Sequence, residues 1–144
     1  MKSCLALVVI LAAFVSVQAA LNREKSIALA KKCAARTGAK ENPEELLDKQ
    51  LIPETREGKC MFACVLKEKG LMKNGKMDGR AVSEFFEKTY QDDPEKLEQA
   101  AAAVGKCSTL DVKGKDECEV AVAYAACGKK VRLNNNLQLI IINP

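Results

Sequence analysis

Thiol chemistry is the chemistry this chain is best equipped for. Six of its seven cysteines are Cys33, Cys60, Cys64, Cys107, Cys118 and Cys127, separated by 26, 3, 42, 10 and 8 residues. Thiols at such positions either hold a metal or pair as disulfides. A zinc site needs deprotonated thiolates, usually with imidazole, in a reducing compartment. The chain has no histidine, so crosslinking is the better reading and no metal or cofactor is expected. The same absence removes Ser-His-Asp and Cys-His nucleophile arrangements, and with them a phospholipase-type His–Asp pair. A lysozyme-like pair of carboxylates remains conceivable, but the acidic residues fall at helix starts and on charged faces, where capping and solvation account for them. No enzyme is expected and no catalytic residue is nominated.

The seventh cysteine, Cys4, lies in a segment of another kind. Lys2 supplies a positive start, Leu5 to Val15 form an apolar run, and Val17-Gln18-Ala19 presents a small-residue cleavage signal. The run is about half the roughly 20 apolar residues that a spanning helix needs. Residues 1–19 therefore read as a signal peptide, cut after Ala19 or Ala20, and residues 20–144 as a single secreted, extracellular domain without membrane insertion. Loss of Cys4 leaves an even set of cysteines in an oxidising compartment, the condition for a disulfide framework. Loss of Lys2 leaves 22 basic against 19 acidic residues. That balance is too mild and too dispersed to predict nucleic acid as a partner.

The elements that must position these cysteines read as short helices. Leu21 to Arg36 is the first, stopped by Gly38. Asn42-Pro43-Glu44-Glu45 opens a second, with Asn42 as cap and Glu45 placed for a capping box. A third spans about Thr55 to Lys69 and closes at Gly70. Asn74-Gly75 marks a turn. Asp78 caps a fourth helix carrying Val82, Phe86 and Tyr90 in one stripe, and Asp93-Pro94 opens a fifth with Leu97, Ala101 and Val104 on one face. The sixth runs from about Asp116 to Ala126, with Gly128 as its stop. Strand-like alternation is absent and the composition favours helix, which predicts an all-α domain. Residues 129–144 differ: Asn134-Asn135-Asn136 breaks the pattern, and the apolar run from Leu137 to Ile142 would be an aggregation hazard unless packed.

Cys60 and Cys64 are four residues apart on the third helix, so both project from one face and are badly directed to bond each other. Each is expected to reach a different neighbouring helix. Cys118 and Cys127 point to opposite sides of the sixth helix and should likewise join different elements. Fifteen pairings of six cysteines remain formally open.

The order and spacing of these cysteines resemble the insect odorant-binding protein family, in its six-cysteine pheromone-binding and general odorant-binding branch. The three-residue gap between Cys60 and Cys64 and the eight-residue gap between Cys118 and Cys127 carry the likeness, which extends over the whole mature domain. The resemblance implies a compact six-helix fold enclosing an apolar cavity, crosslinked Cys33–Cys64, Cys60–Cys118 and Cys107–Cys127. It also implies a carrier that binds small hydrophobic ligands such as odorants, pheromones or lipid-like molecules without covalent chemistry. A chemosensory receptor and a homodimer stay open as further partners. The reading of another class is a disulfide-stapled signalling or protein-binding factor with a filled core.

Helical spacing nominates Met61, Val65, Val82, Phe86, Leu97, Ala101, Val104, Val120 and Tyr124 as ligand-binding side chains, with Phe62 and Leu66 able to serve as wall or core. The Tyr124 hydroxyl is suited to a ligand carbonyl or alcohol. Five aromatics in the mature chain predict mainly aliphatic walls and a preference for elongated ligands. In relatives the C-terminal segment covers or enters the cavity, which nominates Leu139 and Ile141 as well. Deleting residues 134–144 should then change ligand affinity several-fold at neutral pH, and unchanged affinity in a direct titration would make the tail a surface feature. Without histidine, the usual group titrating near pH 6, binding should change little between pH 7 and 6. A steep loss there would reveal a carboxylate of raised pKa.

Overall fold

The computed structural model describes residues 21–134. Every helix after the first begins where a side chain accepts backbone N–H groups that its first turn leaves without partners. Helix α1 occupies 21–37. Helix α2, Pro43–Asp48, is capped by the Asn42 amide oxygen, which accepts from Glu44 and Glu45 N–H. Thr55 caps α3, Arg56–Glu68, Asp78 caps α4, Gly79–Thr89, and Asp93 caps α5, Pro94–Cys107. Helix α6, Glu117–Asn134, starts at Asp116, whose carboxylate accepts from Cys118 and Glu119 N–H. Glu45 does not complete a capping box. Its carboxylate pairs with Lys49 one turn ahead, at 2.7 Å.

The Asn74-Gly75 turn is tighter than a loop signal alone implies. Both residues have positive φ, 51° and 72°, as a two-residue hairpin turn requires. They join β1, Met72–Lys73, to β2, Lys76–Met77, in antiparallel register with Met72 opposite Met77. This miniature hairpin aside, the described residues are helical or loop, and the fold is all-α.

Two helices are central. Helix α3 buries Met61, Phe62, Ala63 and Leu66, facing α1 and α2 on one side and α6 on the other. Helix α6 lacks a strongly one-sided apolar stripe because it is contacted from several directions, as a helix apolar around its girth must be. It packs on α3, α5 and β2. The core has three parts. Phe62, Leu66, Leu71 and Val120 lie between α3, the hairpin and α6. Phe86, Tyr90, Ala100, Ala103 and Val131 lie among α4, α5 and α6, with the Phe86 and Tyr90 rings stacked at 6.0 Å. Cys33, Ala34 and Met61 anchor α1 on α3.

Gly128 does not stop α6, which continues without interruption to Asn134. A glycine inside a helix costs about 1 kcal/mol relative to alanine. Burial of Val131 one turn later outweighs that cost, at about 1.5–3 kcal/mol for a well-buried apolar side chain. Residues 129–134 thus belong to the helix rather than to a separate tail.

The bridges are Cys33–Cys64, Cys60–Cys118 and Cys107–Cys127, with Cα separations of 5.7, 4.4 and 5.9 Å. Helix α3 is tied to α1 through Cys64 and to α6 through Cys60, and α6 is tied to α5 through Cys127. Exposed ion pairs follow the same seams: Arg23–Asp48 and Lys31–Glu44 between α1 and α2, Arg56–Asp116 and Lys67–Glu117 between α3 and α6. Such surface pairs contribute at most about 1 kcal/mol each, so the crosslinks dominate. Their sequence separations of 58 and 20 residues correspond in the chain-entropy account to about 4 and 3 kcal/mol. Replacing Cys60 and Cys118 together by alanine should lower the unfolding free energy by about 4 kcal/mol, and the Cys107, Cys127 pair by about 3 kcal/mol. Urea midpoints measure this, and a loss below about 1 kcal/mol for either pair would contradict it.

Candidate functional site

A cavity of about 250 Å³ lies among α3, α4, α5, α6 and the hairpin. Helix α3 contributes Phe62 and Leu66, the hairpin region Leu71 and Met77, and α4 presents Val82, Phe85 and Phe86. Helix α5 adds Ala103, Val104 and Cys107, followed by Ser108. Helix α6 supplies Ala121, Tyr124, Ala125 and Gly128. The large side chains come from α3, α4 and the hairpin region, together with Tyr124 of α6. Ala121, Ala125 and Gly128 are spaced four and three apart, so apart from Tyr124 the inner face of α6 carries little side-chain volume. Those small residues leave space between α6 and the phenylalanines of α3 and α4.

Among the described residues, no charged side chain lines this cavity. Its side-chain polar groups are the hydroxyls of Ser108 and Tyr124. Ser108 donates to the Gly105 carbonyl at 2.7 Å. Tyr124 lines the void without a hydrogen bond to another described residue, so its hydroxyl can serve a ligand oxygen. Among the described residues no cluster of His, Cys, Asp or Glu could hold a metal, and no helix is long and apolar enough to cross a membrane.

A second, smaller cavity of about 30 Å³ lies among α1, α2 and α3, lined by Ser26, Ala30, Pro43, Leu46, Leu47, Met61, Phe62, Val65 and Lys69. Phe62 lines both cavities and is the partition between them. Lys69, the C-cap residue of α3, borders the smaller cavity and places its ammonium 5.7 Å from the centroid of the Phe85 ring, which faces the larger one. Burial holds the Lys69 pKa below the ordinary lysine value.

Of the nominated residues, Val82, Phe86, Val104 and Tyr124 line the main cavity, whereas Met61 and Val65 line the smaller one. Leu97 packs on the α4–α5–α6 core outside the lining. Val120 is buried at 2% exposure, but against the α3 and hairpin core rather than the void. Ala101 needs correction, since it is exposed. The inward face of α5 runs through Ala100, Ala103 and Cys107, and one residue of helical rotation, about 100°, carries Ala101 out of it. Leu139 and Ile141 lie outside the described residues.

Aliphatic side chains outnumber aromatic ones in the lining, as expected, but the aromatics concentrate there. Phe62, Phe85, Phe86 and Tyr124 all border the main cavity, four of the five aromatics in the mature chain. Composition counts rings without locating them, and the inward faces of α3, α4 and α6 gather them on one void. Leu71, Met77 and the small α6 face were missed as lining. The i, i+4, i+7 spacing of Ala121, Ala125 and Gly128 was the available signal, obscured by reading Gly128 as a stop.

Residues 18–131 match the model of the PBP/GOBP family. The chain is 32% identical to general odorant-binding protein 19d of Drosophila melanogaster over 120 residues, covering 83% of this chain and 79% of that protein. It is 35% identical to general odorant-binding protein 28a of the same fly over 128 residues, covering 83% and 89%. The solved structure of odorant-binding protein dmelOBP28a from Drosophila melanogaster superposes with a TM-score of 0.67 at 30% identity, over 84% of this chain and 98% of that one. The fatty acid binding protein OBP56a from the oral disk of the blowfly Phormia regina shares the fold, with a TM-score of 0.58 at 22% identity over 77% and 91%. With six helices, three crosslinks and a match along most of its length, the chain belongs to the PBP/GOBP family of odorant-binding proteins.

Proposed function

We propose that the protein is a secreted carrier that takes up small hydrophobic molecules and holds them in the cavity among α3, α4, α5 and α6. The observation that carries this reading is a void of about 250 Å³ with apolar walls and, among the described residues, no charged lining, in a fold whose relatives are named for odorant binding. A relative named for fatty acids supports ligands with alkyl chains as one class. The driving force is burial of ligand apolar surface at about 25 cal/mol per Å². The Tyr124 hydroxyl orients a ligand carbonyl or alcohol. The step is reversible and leaves the ligand chemically unchanged. The leader-like residues 1–19 and the crosslinks support an extracellular fluid as the carrier's setting.

Filling the void tests this directly. An environment-sensitive apolar fluorophore should bind the purified protein saturably. Ala125→Phe projects a ring from the small face of α6 and should weaken binding at least about tenfold, the scale of one lost buried apolar group, while the helical circular dichroism persists. Failure of the wild-type protein to bind apolar probes of any shape would favour a protein-binding factor instead.

A further inference from the structure

Lys69 is an odd residue to find beside apolar cavities. Lys31, Lys49 and Lys67 are exposed and paired, with Glu44, Glu45 and Glu117. Lys69 is half-buried and makes no ion pair with a described residue. Its recorded partner is the face of Phe85. It is also the one charged side chain among the described residues that borders either apolar cavity. A cation taken out of water without a counterion is unfavourable. The ring face and the carbonyl end of α3 compensate it only in part.

Its place on α3 explains what could complete it. Phe62, Leu66 and Lys69 recur at i, i+4 and i+7, so they share one side of the helix. Phe62 and Leu66 wall the main cavity, and Phe62 also separates it from the space that Lys69 borders. Phe85 borders the main cavity, and the Lys69 ammonium lies 5.7 Å from the centroid of its ring. An apolar chain with one terminal negative charge matches that sequence of surfaces, with the charge-assisted hydrogen bond made where water is sparse.

We propose that Lys69 is the headgroup anchor for an anionic amphiphile, whose carboxylate pairs with the ammonium while its alkyl chain lies in the main cavity. This rests on the carrier reading and narrows the ligand class to long-chain carboxylates. The anchor discriminates by charge, because a neutral alcohol of equal length buries the same chain but leaves Lys69 without a counterion.

Isothermal titration with dodecanoate and with 1-dodecanol, on the wild-type protein, Lys69→Met and Lys69→Arg, tests the proposal. Wild type should bind the acid about tenfold more tightly than the alcohol, the scale of one charge-assisted contact. Lys69→Met keeps the length and apolar stem and should abolish that preference without altering alcohol binding, and Lys69→Arg should restore most of it. Alcohol binding with no preference for the acid in wild type overturns the anchor and leaves the carrier reading intact. Equal losses of acid and alcohol in Lys69→Met also overturn the anchor, since they indicate a packing role. Absence of binding for both ligands in wild type overturns the two readings together.

Discussion

The fold depends on α6 being held at two points against two different helices. Cys118 ties it to α3 and Cys127 ties it to α5. Between those points lie Ala121, Tyr124 and Ala125, with Gly128 one step beyond, the face that leaves the void. A helix whose inner face is small apart from one tyrosine would normally settle inward, because empty apolar space forfeits dispersion contacts and destabilises the folded state. The crosslinks fix the spacing covalently and oppose that collapse. The third bridge, Cys33–Cys64, extends the same restraint to α1, so α3 sits between two neighbours that cannot drift from it.

This arrangement separates the work of charge from that of apolar surface. The ion pairs run along exposed helix seams, where they add orientation and little energy, and the charged groups stay away from the main cavity walls. Two of the paired carboxylates are held below their ordinary pKa by their partners: Asp116 chiefly by its hydrogen bond with Arg56, Asp93 by that with Lys96. Such groups favour the folded state above their unfolded pKa, and the contribution fades as pH falls through the lowered value. They titrate in acid, well away from neutrality. Lys69 is the exception, a cation at the margin of apolar space.

Local features were legible in the sequence because local chemistry produces them. Asn42, Thr55, Asp78, Asp93 and Asp116 cap their helices by accepting N–H groups two or three residues ahead, a contact that needs no knowledge of the fold. That Cys60 and Cys64 bond different helices rather than each other followed from helical periodicity in the same way. Gly128 and Ala101 were misread because their placement depends on distant packing. Val131 carries α6 through a glycine, and the burial of Ala100 and Ala103 sets the rotation of α5.

Sequence alone determined the crosslinked all-helical class and the family, since cysteine spacing, capping residues and the absence of histidine are properties of chain order and composition. Only the tertiary structure decided that four scattered aromatics border one void, that three small residues of α6 border it too, and that Phe62 lines two cavities with Lys69 at the margin of the smaller. Those facts are distances between residues far apart in the chain. Such distances arise from helix rotation and from the spacing the bridges enforce, and neither quantity is carried by any one segment.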